Sequence, residues 1–228
     1  MIEFSPFLLQ IFGKISAFYK SAKKSKSSTL NSSEYLAFCD FILYKSPNDN
    51  YSINSADVIE LFYNLRTDIE KLNYAVAISK IIYDVTDENI PAGDILQLFL
   101  NTLYVISETD KNLELVYSIF QIRLLALLGF VPKLSDCTVC GEKMTENMNN
   151  FYFSIKDDGV KCESCSKMDK GIIHLSKTSF SALIYCLSCD AKKLYSFEIP
   201  EESITELSIL AKLYVTQKLE KEYLVQKY

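Results

Sequence analysis

The sequence predicts an α+β protein in which a small β domain precedes a helical domain that contains an inserted four-cysteine module. Three observations predict this arrangement. Short apolar segments with the spacing of strands and hairpins occupy residues 7–56. From Asp57 onward the apolar residues recur at helical spacing instead. Two Cys-x-x-Cys pairs then interrupt the helical pattern before it returns.

Four strands are expected in the first part of the chain. The first two are FLLQIF and KISAFYK, which flank Gly13. The long segment EYLAFCDFILYK follows, and YSINSA comes after the turn-forming residues Pro47–Asn50. Cys39 alternates with Phe38 and Phe41 in the third segment, so we expect Cys39 to pack in the sheet rather than to bind a metal.

Helices are expected after the strands, because apolar residues recur every three or four positions. Gly129 is expected to end one of them, and Ser176 is an N-cap candidate for another. The final helix is amphipathic and begins after Pro200. The predicted helical segments are 58–85, 93–107, 112–128, a segment from Ser176 and 201–226.

The two cysteine pairs, Cys137/Cys140 and Cys162/Cys165, are separated by twenty-one residues. Each pair places two sulfur atoms on one tight turn, and two such turns complete a tetrahedral shell of four thiolates. A closed shell leaves no position for a substrate or a reactive water. The spacing therefore predicts a structural zinc site with these four ligands.

Disulfides, other metals and free thiols are the alternatives to zinc at these cysteines. The opening MIEFSPFLLQIFGK lacks the features of a secretory signal, so we expect reduced thiols rather than disulfides. The polar stretch 133–170 is too short to fold by apolar burial alone, and a structural zinc contributes about 10–16 kcal/mol against about 2–4 kcal/mol for a disulfide. Another thiolate-bound metal, such as iron, and free thiols remain alternatives.

A third pair, Cys186/Cys189, is also spaced to join Cys162/Cys165. Its surroundings, FSALIYCLSCDAKKL, have the apolar spacing of a helix, whereas Gly141 follows the first pair and suits a metal-binding turn. We therefore expect Cys186 and Cys189 to be packed or half-buried thiols. A thiol–disulfide redox pair is the alternative, and it requires an exposed thiol of low pKa.

Residues 13–33 contain five lysines and no acidic residue, whereas the whole chain of 228 residues has a net charge of −5. The segment thus carries +5 and the remainder of the chain carries −10. A local cationic segment in an acidic protein indicates an anionic partner. A solvated loop kept soluble by lysine and serine is the alternative.

Several phrases of this sequence resemble the RecO family of bacterial DNA repair proteins. They are GKISAFYKSAKKSKS, VIELFYNLRTDIEKLNYA, RLLALLGFVPKLSDCTVCG and FYFSIKDDGVKCESC, in the order β domain, helices and two cysteine pairs. The most specific part is Arg123–Gly141, where an apolar helix, a Gly, a Pro and a cysteine pair follow one another. The likeness extends over nearly the whole chain.

The resemblance implies an N-terminal OB-fold, a helical domain and a zinc finger. Members of the family act as recombination mediators that bind single- and double-stranded DNA and anneal strands. They contact the C-terminal tail of single-strand-binding protein and work with RecR in loading RecA. The implied domains are an OB-like domain at 1–57, helical parts at 58–132 and 171–228, and the finger at 133–170. The family's basic stretch corresponds to Lys20, Lys23, Lys24 and Lys26.

One departure from the family concerns the start of the chain. A RecO chain ordinarily begins with an extended segment that forms the first barrel strand, whereas this sequence starts directly before what resembles the second strand. We therefore expect a barrel that lacks one strand, with an open edge.

Other residues have open or structural interpretations. Phe18 and Tyr19 adjoin the lysines, where one would stack on a base and the other pack in the core, and core packing is the alternative for either ring. Lys14 is a weaker DNA-binding candidate. Arg66 and Arg123 are expected to make structural ion pairs or partner contacts, and no phosphate clamp is expected of them. His174 is expected at the surface or in a strand.

No motif of an enzyme occurs in the sequence, since there is no phosphate-binding glycine loop and no catalytic serine motif. Annealing requires charge neutralisation and strand alignment but no bond chemistry. We expect a non-enzymatic, cytoplasmic, nucleoid-associated protein with no membrane span and no small-molecule substrate. The alternative function is a zinc-stabilised helical adaptor that binds proteins and has weak or no DNA binding.

Overall fold

The computed structural model describes residues 4–9, 13–19, 34–48, 50–145 and 147–226. The chain divides into two compact units, Met1–Thr109 and Asp110–Gln226. The α+β class predicted from the sequence is confirmed, because each unit contains a sheet and helices. The boundary between the two units, after Thr109, lies inside the helical domain part predicted at 58–132. The domain boundaries expected from the sequence remain predictions.

The first unit opens with four strands. They are β1 (Phe4–Leu9), β2 (Gly13–Tyr19), β3 (Phe38–Lys45) and β4 (Tyr51–Glu60). The sheet order is β1-β2-β4-β3, in which β2 and β4 are parallel and the other neighbouring pairs are antiparallel. Within the described residues these strands form an open sheet and do not close into a barrel, so the structure does not confirm the OB-like barrel.

One face of this sheet is apolar. Ala17, Ile53 and Ala56 are buried together, and partly buried hydrophobic side chains pack against them, namely Phe41, Leu43 and Tyr51. Cys39 is buried on β3. The prediction that Cys39 packs in the sheet is therefore confirmed.

The helix predicted from Val58 begins later than expected. Strand β4 continues through Glu60, and the Glu60 carboxylate accepts hydrogen bonds from the backbone N–H groups of Leu61 (2.8 Å) and Phe62 (2.9 Å). These bonds form a turn in place of the first helical turn. A short helix, α1 (Asn64–Thr67), follows, and the long helix α2 (Ile69–Val85) starts only after Asp68.

The cap of α2 explains where that helix starts. The Asp68 side chain accepts hydrogen bonds from the N–H groups of Glu70 and Lys71, which lack partners within the helix. Helix α3 (Gly93–Glu108) follows and matches the prediction closely. Both α2 and α3 bury one side in the first unit.

The second unit is built around α4 (Leu113–Leu127), most of whose side chains are buried. Asn112 caps its N-terminus by accepting a hydrogen bond from Leu115 N–H at 3.0 Å. Gly129, with φ of 89°, follows its last turn as predicted. Helices α6 (Lys177–Ser188) and α7 (Glu201–Leu219) pack against α4.

A small antiparallel sheet lies between α4 and α6 in the sequence. It contains β5 (Asn150–Ser154), β6 (Gly159–Lys161) and β7 (Ile172–Ser176) in the order β6-β5-β7. A short helix, α5 (Glu163–Ser166), connects β6 to β7. The predicted N-cap is confirmed, because the Ser176 hydroxyl accepts a hydrogen bond from Ser179 N–H at 3.3 Å.

Helix α7 ends at Leu219, which corrects the predicted end at Gln226. Glu220 adopts a left-handed conformation, with φ of 52°, and ends the helix. Leu207, Leu210 and Tyr214 are buried and belong to the core stripe of α7. Every helix in the described part of the chain is too short or too polar to span a membrane.

Candidate metal centre

The first cysteine pair lies on a tight loop that we call the first knuckle, residues 135–144. The N–H of Cys137 donates to the Glu142 carbonyl at 2.7 Å, and the N–H of Gly141 donates to the Cys137 carbonyl at 3.0 Å. Gly141 has φ of 76°, a conformation that favours glycine. The loop therefore turns back on itself around Cys137 and Cys140.

The second cysteine pair lies on the second knuckle, residues 162–166, directly after β6. Cys162 is the N-cap residue of α5 and Cys165 lies on that helix. The N–H of Ser166 donates to the Cys162 carbonyl at 3.0 Å, which closes the turn. A strand followed by one helical turn thus directs both sulfur atoms to the same side.

The two knuckles bring together the four cysteines predicted as ligands. Their sulfur atoms lie within 4.8 Å of one another. Cys140 Sγ and Cys162 Sγ, one from each knuckle, lie 3.7 Å apart. A tetrahedral shell with metal–sulfur bonds of about 2.3 Å places sulfur atoms about 3.8 Å apart, whereas a disulfide needs about 2.0 Å. The arrangement is compatible with a structural metal site.

The local environment makes these thiols unequal as acids. Burial raises the pKa of Cys137, but hydrogen bonds from the backbone of Cys140, Cys162 and Val139 outweigh burial and lower this pKa to about 6. A hydrogen bond with the Cys162 side chain, together with burial, raises the pKa of Cys165 to about 12. The Cys137 thiolate therefore forms readily and its charge opposes ionisation of Cys165, an effect that a divalent cation bound by the cluster would offset.

Backbone hydrogen bonds join the first knuckle, and Lys133 just before it, to the β5–β6 hairpin. The N–H of Val160 donates to the Lys133 carbonyl at 3.0 Å, and the N–H of Thr138 donates to the Val160 carbonyl at 2.9 Å. A Cβ atom on Gly159 would lie 2.5 Å from the Lys133 carbonyl oxygen and 2.8 Å from Thr138 Cγ2. The close approach of the two segments therefore requires glycine at position 159.

A cluster of charged side chains supports the second knuckle. The ammonium group of Lys161, whose side chain is buried, lies 2.6 Å from Asp157 and 2.7 Å from Asp169. The Ser154 hydroxyl donates to both carboxylates. The hydrogen bond from Lys161 and that from Ser154 hold the pKa of Asp169 below its usual range. This cluster joins β5, β6 and the segment after α5.

Cys186 and Cys189 lie outside the four-cysteine group. Cys186 is buried within α6, and Cys189 is the C-cap residue of that helix. Burial raises the pKa of Cys186 to about 12. A thiol of this kind stays protonated and is a poor nucleophile, so the structure favours the packed-thiol interpretation over a redox pair.

Known proteins resemble this chain in sequence. A family model described as Recombination protein O C terminal matches residues 66–227. The DNA repair protein RecO of Acetivibrio thermocellus is 40% identical over 211 residues, which cover 92% of this chain and 82% of that protein. This chain belongs to the RecO family.

More distant members of the RecO family show the same extent of likeness. The DNA repair protein RecO of Alkaliphilus metalliredigens is 27% identical and covers 92% of this chain and 83% of that protein. The corresponding protein of Caldicellulosiruptor saccharolyticus is 28% identical over 96% of this chain and 89% of its own length. The resemblance seen in short phrases of the sequence is thus confirmed over nearly the full chain.

The DNA-binding residues expected from the RecO resemblance, Lys20, Lys23, Lys24 and Lys26, lie outside the described residues. Phe18 and Tyr19 lie on β2, and their side chains are likewise outside what the structure describes. Lys14 is described. Its Nζ donates to the Tyr83 carbonyl at 3.0 Å and lies 4.0 Å from the centre of the Tyr83 ring, so it has a structural contact.

Both arginines make structural contacts, as expected. Arg66 Nη2 donates to the Tyr35 carbonyl at 2.9 Å and lies 3.7 Å from the Glu34 carboxylate. Arg123 donates to three carbonyl groups at the end of α6 at 2.9–3.1 Å, those of Cys186, Leu187 and Cys189. The Arg123 hydrogen bonds thus satisfy carbonyl groups that the end of a helix leaves without partners inside the helix.

His174 lies on β7 with an exposed side chain, as expected for a surface strand residue. Its Nε2 lies 2.9 Å from Asn150 Oδ1. Sequence reasoning missed the Lys161 cluster and the spatial requirement at Gly159, because both depend on segments that are distant in the chain. The sequence Asp157-Asp158-Gly159, typical of a turn, is the one local signal for this region.

Proposed function

We propose that this protein is a DNA repair and recombination mediator of the RecF pathway type. In this role it binds single- and double-stranded DNA, anneals complementary strands and helps to load recombinase onto strands coated by single-strand-binding protein. The observation that carries the proposal is the 40% identity to a DNA repair protein RecO over 92% of the chain. The partners proposed are DNA, RecR and the C-terminal tail of single-strand-binding protein, and the location proposed is the cytoplasm, on the nucleoid.

The proposed DNA-binding residues are Lys20, Lys23, Lys24 and Lys26. They lie in a segment, 13–33, that carries +5 in a chain with a net charge of −5. Lysine ammonium groups neutralise phosphates and release counterions, which gives binding a steep dependence on salt. The four-stranded sheet of the first unit supports an OB-like domain at 1–57, a fold that binds strands along a basic groove.

The proposed cofactor is one structural zinc ion per chain, held by Cys137, Cys140, Cys162 and Cys165. Four thiolate ligands suit zinc, and an ion so enclosed supplies folding energy rather than catalysis. The proposed mechanism requires no catalytic residue. Strand annealing proceeds through neutralisation of phosphate charge and alignment of two strands on one surface.

Reversal of charge at the four lysines tests this function. We expect Lys20, Lys23, Lys24 and Lys26 changed together to Glu to abolish binding of an unstructured oligonucleotide, while zinc content stays near one per chain. Binding of the wild type is expected to weaken about 150-fold between about 50 and 200 mM salt if the four lysines contact phosphates. Fluorescence anisotropy across a salt series measures both effects.

A matched control changes four exposed lysines of the second unit to Glu, which alters net charge by the same amount. These are Lys156, Lys170, Lys192 and Lys193. The control variant should bind the oligonucleotide nearly as well as the wild type. Equal loss in both variants would show that net charge alone governs binding. Absence of binding by the wild type would favour the helical adaptor.

A further inference from the structure

The turn Glu34–Ala37 directly follows the lysine-bearing segment and is held in an unusual conformation. The N–H of Ala37 donates to the Glu34 carbonyl at 3.1 Å, which closes a four-residue turn. Tyr35 occupies the second position of the turn, and 57% of its surface is exposed. Leu36 occupies the third position with φ of 67°, where glycine is the residue that fits without strain.

Arg66, which lies on α1, contacts this turn through its side chain. Its guanidinium donates to the Tyr35 carbonyl at 2.9 Å and lies 3.7 Å from the Glu34 carboxylate. The guanidinium therefore restrains the backbone that carries the Tyr35 side chain, and it neutralises the acidic group nearest to it. A restrained backbone at the position of the aromatic residue reduces the conformational entropy that is lost on binding.

A bulky residue in a left-handed turn conformation is unfavourable and persists where the surrounding structure enforces it. Here the enforced conformation presents an aromatic ring to solvent a few residues after a run of lysines in the sequence. Tyr35 follows Lys26 by nine residues, so the chain places the ring at most about 30 Å from that lysine. A DNA strand whose phosphates are neutralised by these lysines would have bases within reach of the Tyr35 ring.

We propose that Tyr35 stacks on a base of bound single-stranded DNA and that Arg66 is the positioning residue that holds Tyr35 in place. This inference rests on the proposed DNA-binding function and adds a base-contacting residue to it. Strand-binding proteins combine cationic contacts to phosphates with aromatic rings on which bases stack. Stacking is tolerant of sequence because every base has an aromatic face.

Binding to an unstructured oligo-dT strand tests the stacking role. We expect Tyr35→Ala to weaken binding about 5- to 150-fold with an unchanged salt dependence, because base stacking is lost and phosphate contacts remain. Tyr35→Phe should bind like the wild type. Tyr104→Ala is the matched control, since Tyr104 is 56% exposed in the same unit, and it should leave binding unchanged.

A base-free sugar–phosphate strand of the same length separates stacking from other effects. The wild type and Tyr35→Ala should bind this strand equally, because it offers no base to the ring. The inference is overturned if Tyr35→Ala binds oligo-dT as tightly as the wild type. It is also overturned if Tyr35→Ala weakens binding to both strands by the same factor.

A fluorescence measurement tests the role of Arg66. The chain contains no tryptophan, so Tyr35→Trp introduces a single reporter. We expect its emission to be quenched on saturation with oligo-dT, and a second change, Arg66→Met, should reduce the quenching amplitude at saturation. Full quenching in the double variant would overturn the positioning role.

The outcomes distinguish this inference from the function on which it rests. If the wild type binds oligo-dT through the four lysines and Tyr35→Ala keeps full affinity, the inference alone fails. If the wild type binds no strand, the proposed function fails and the inference fails with it.

Discussion

Gly159 is important because it has no side chain. It follows Asp157 and Asp158, a sequence typical of a turn, but the left-handed residue of that turn is Asp158, with φ of 52°. Gly159 instead provides space for the Lys133 carbonyl and the Thr138 methyl group. The requirement depends on a segment from much earlier in the chain, so no local sequence signal reveals it.

We expect Gly159→Ala to lower the free energy of unfolding by about 1–3 kcal/mol, because the added methyl group forces the first knuckle away from β6. Urea unfolding of the zinc-loaded protein measures the effect. Ser164→Ala, an exposed change on the second knuckle, is the control and should stay within about 0.5 kcal/mol of the wild type. Equal stability of Gly159→Ala and the wild type would contradict the close approach.

Arg123 shows how far residue type alone predicts a role. A structural contact was expected, and three carbonyl groups at the end of α6 are its partners. The identity of these partners follows only from the packing of α4 against α6. A guanidinium suits this position because its planar array of N–H groups reaches several acceptors at once.

We expect Arg123→Met to destabilise the protein by about 1–3 kcal/mol, since it leaves partly buried carbonyls without donors. Arg123→Lys should recover part of the loss, because an ammonium group reaches fewer of the three acceptors. Thermal and urea unfolding measure both variants against Lys192→Met, a change at an exposed cation. If Lys192→Met lowered the free energy of unfolding as much as Arg123→Met, a specific capping role of Arg123 at the end of α6 would be refuted.

At the scale of secondary structure, most predicted helix bounds lie within one residue of those in the structure, and the start at Val58 and the end at Gln226 are the exceptions. Ser176 was predicted as a cap residue from the sequence, whereas the cap at Asn112 was not, and both side chains accept hydrogen bonds from the first turn. The end of α7 was predicted seven residues too late because the apolar pattern continues past Leu219. Tyr223 follows the helix and is nevertheless buried, so an apolar pattern at this end of the chain indicates burial without indicating a helix.

The N-terminus of α6 is stabilised by a side chain from α7. Glu206 Oε2 accepts hydrogen bonds from Ser176 N–H at 2.7 Å and from the Ser179 hydroxyl at 2.5 Å. Burial raises the pKa of Glu206, but the bonds from Ser179 and Ser176 outweigh burial and lower this pKa below its usual value of 4.5. The charged carboxylate also interacts favourably with the helix dipole.

The lowered pKa predicts a pH-dependent contribution to stability. Glu206 stabilises the folded state at pH above its unfolded pKa near 4.5, and this contribution is lost as pH falls through the lower folded pKa. We expect the stability difference between wild type and Glu206→Gln to be largest at neutral pH and to shrink below pH 4.5. Urea unfolding at several pH values measures it.

Comparison with Glu206→Gln removes effects of acid that both proteins share, including protonation of the cysteine cluster. Glu202→Gln is the control, because Glu202 is exposed in the first turn of α7. Its stability difference from the wild type should vary little with pH. A Glu206→Gln difference that stays constant from neutral pH to pH 3 would contradict the hydrogen-bonded carboxylate.

At the scale of the whole molecule, much of the architecture followed from pattern and spacing. The α+β class, four N-terminal strands and the separation of Cys186 and Cys189 from the other cysteines agree with the structure. Barrel closure could not be derived from strand spacing, because it depends on long-range pairing between edge strands. The order β1-β2-β4-β3, with its parallel β2–β4 pair, was likewise not evident from the sequence.

The candidate metal centre joins segments of the second unit that are distant in the sequence. Two knuckles that are distant in sequence meet at four sulfur atoms within 4.8 Å, and backbone hydrogen bonds join the first knuckle to the β5–β6 hairpin. Because the four sulfur atoms are ligands that suit a structural metal ion, we expect the finger region 133–170 to depend on a bound metal. Removal of the metal by a chelator should therefore loosen this region.

Metal analysis of the purified protein beside two cysteine variants tests the central claim most directly. We predict one zinc ion per chain in the wild type, loss of the ion in Cys137→Ala, and full retention in Cys186→Ala, whose thiol lies outside the cluster. A wild-type protein that is fully folded without metal would contradict the account. Loss of zinc from Cys186→Ala with retention in Cys137→Ala would contradict it equally.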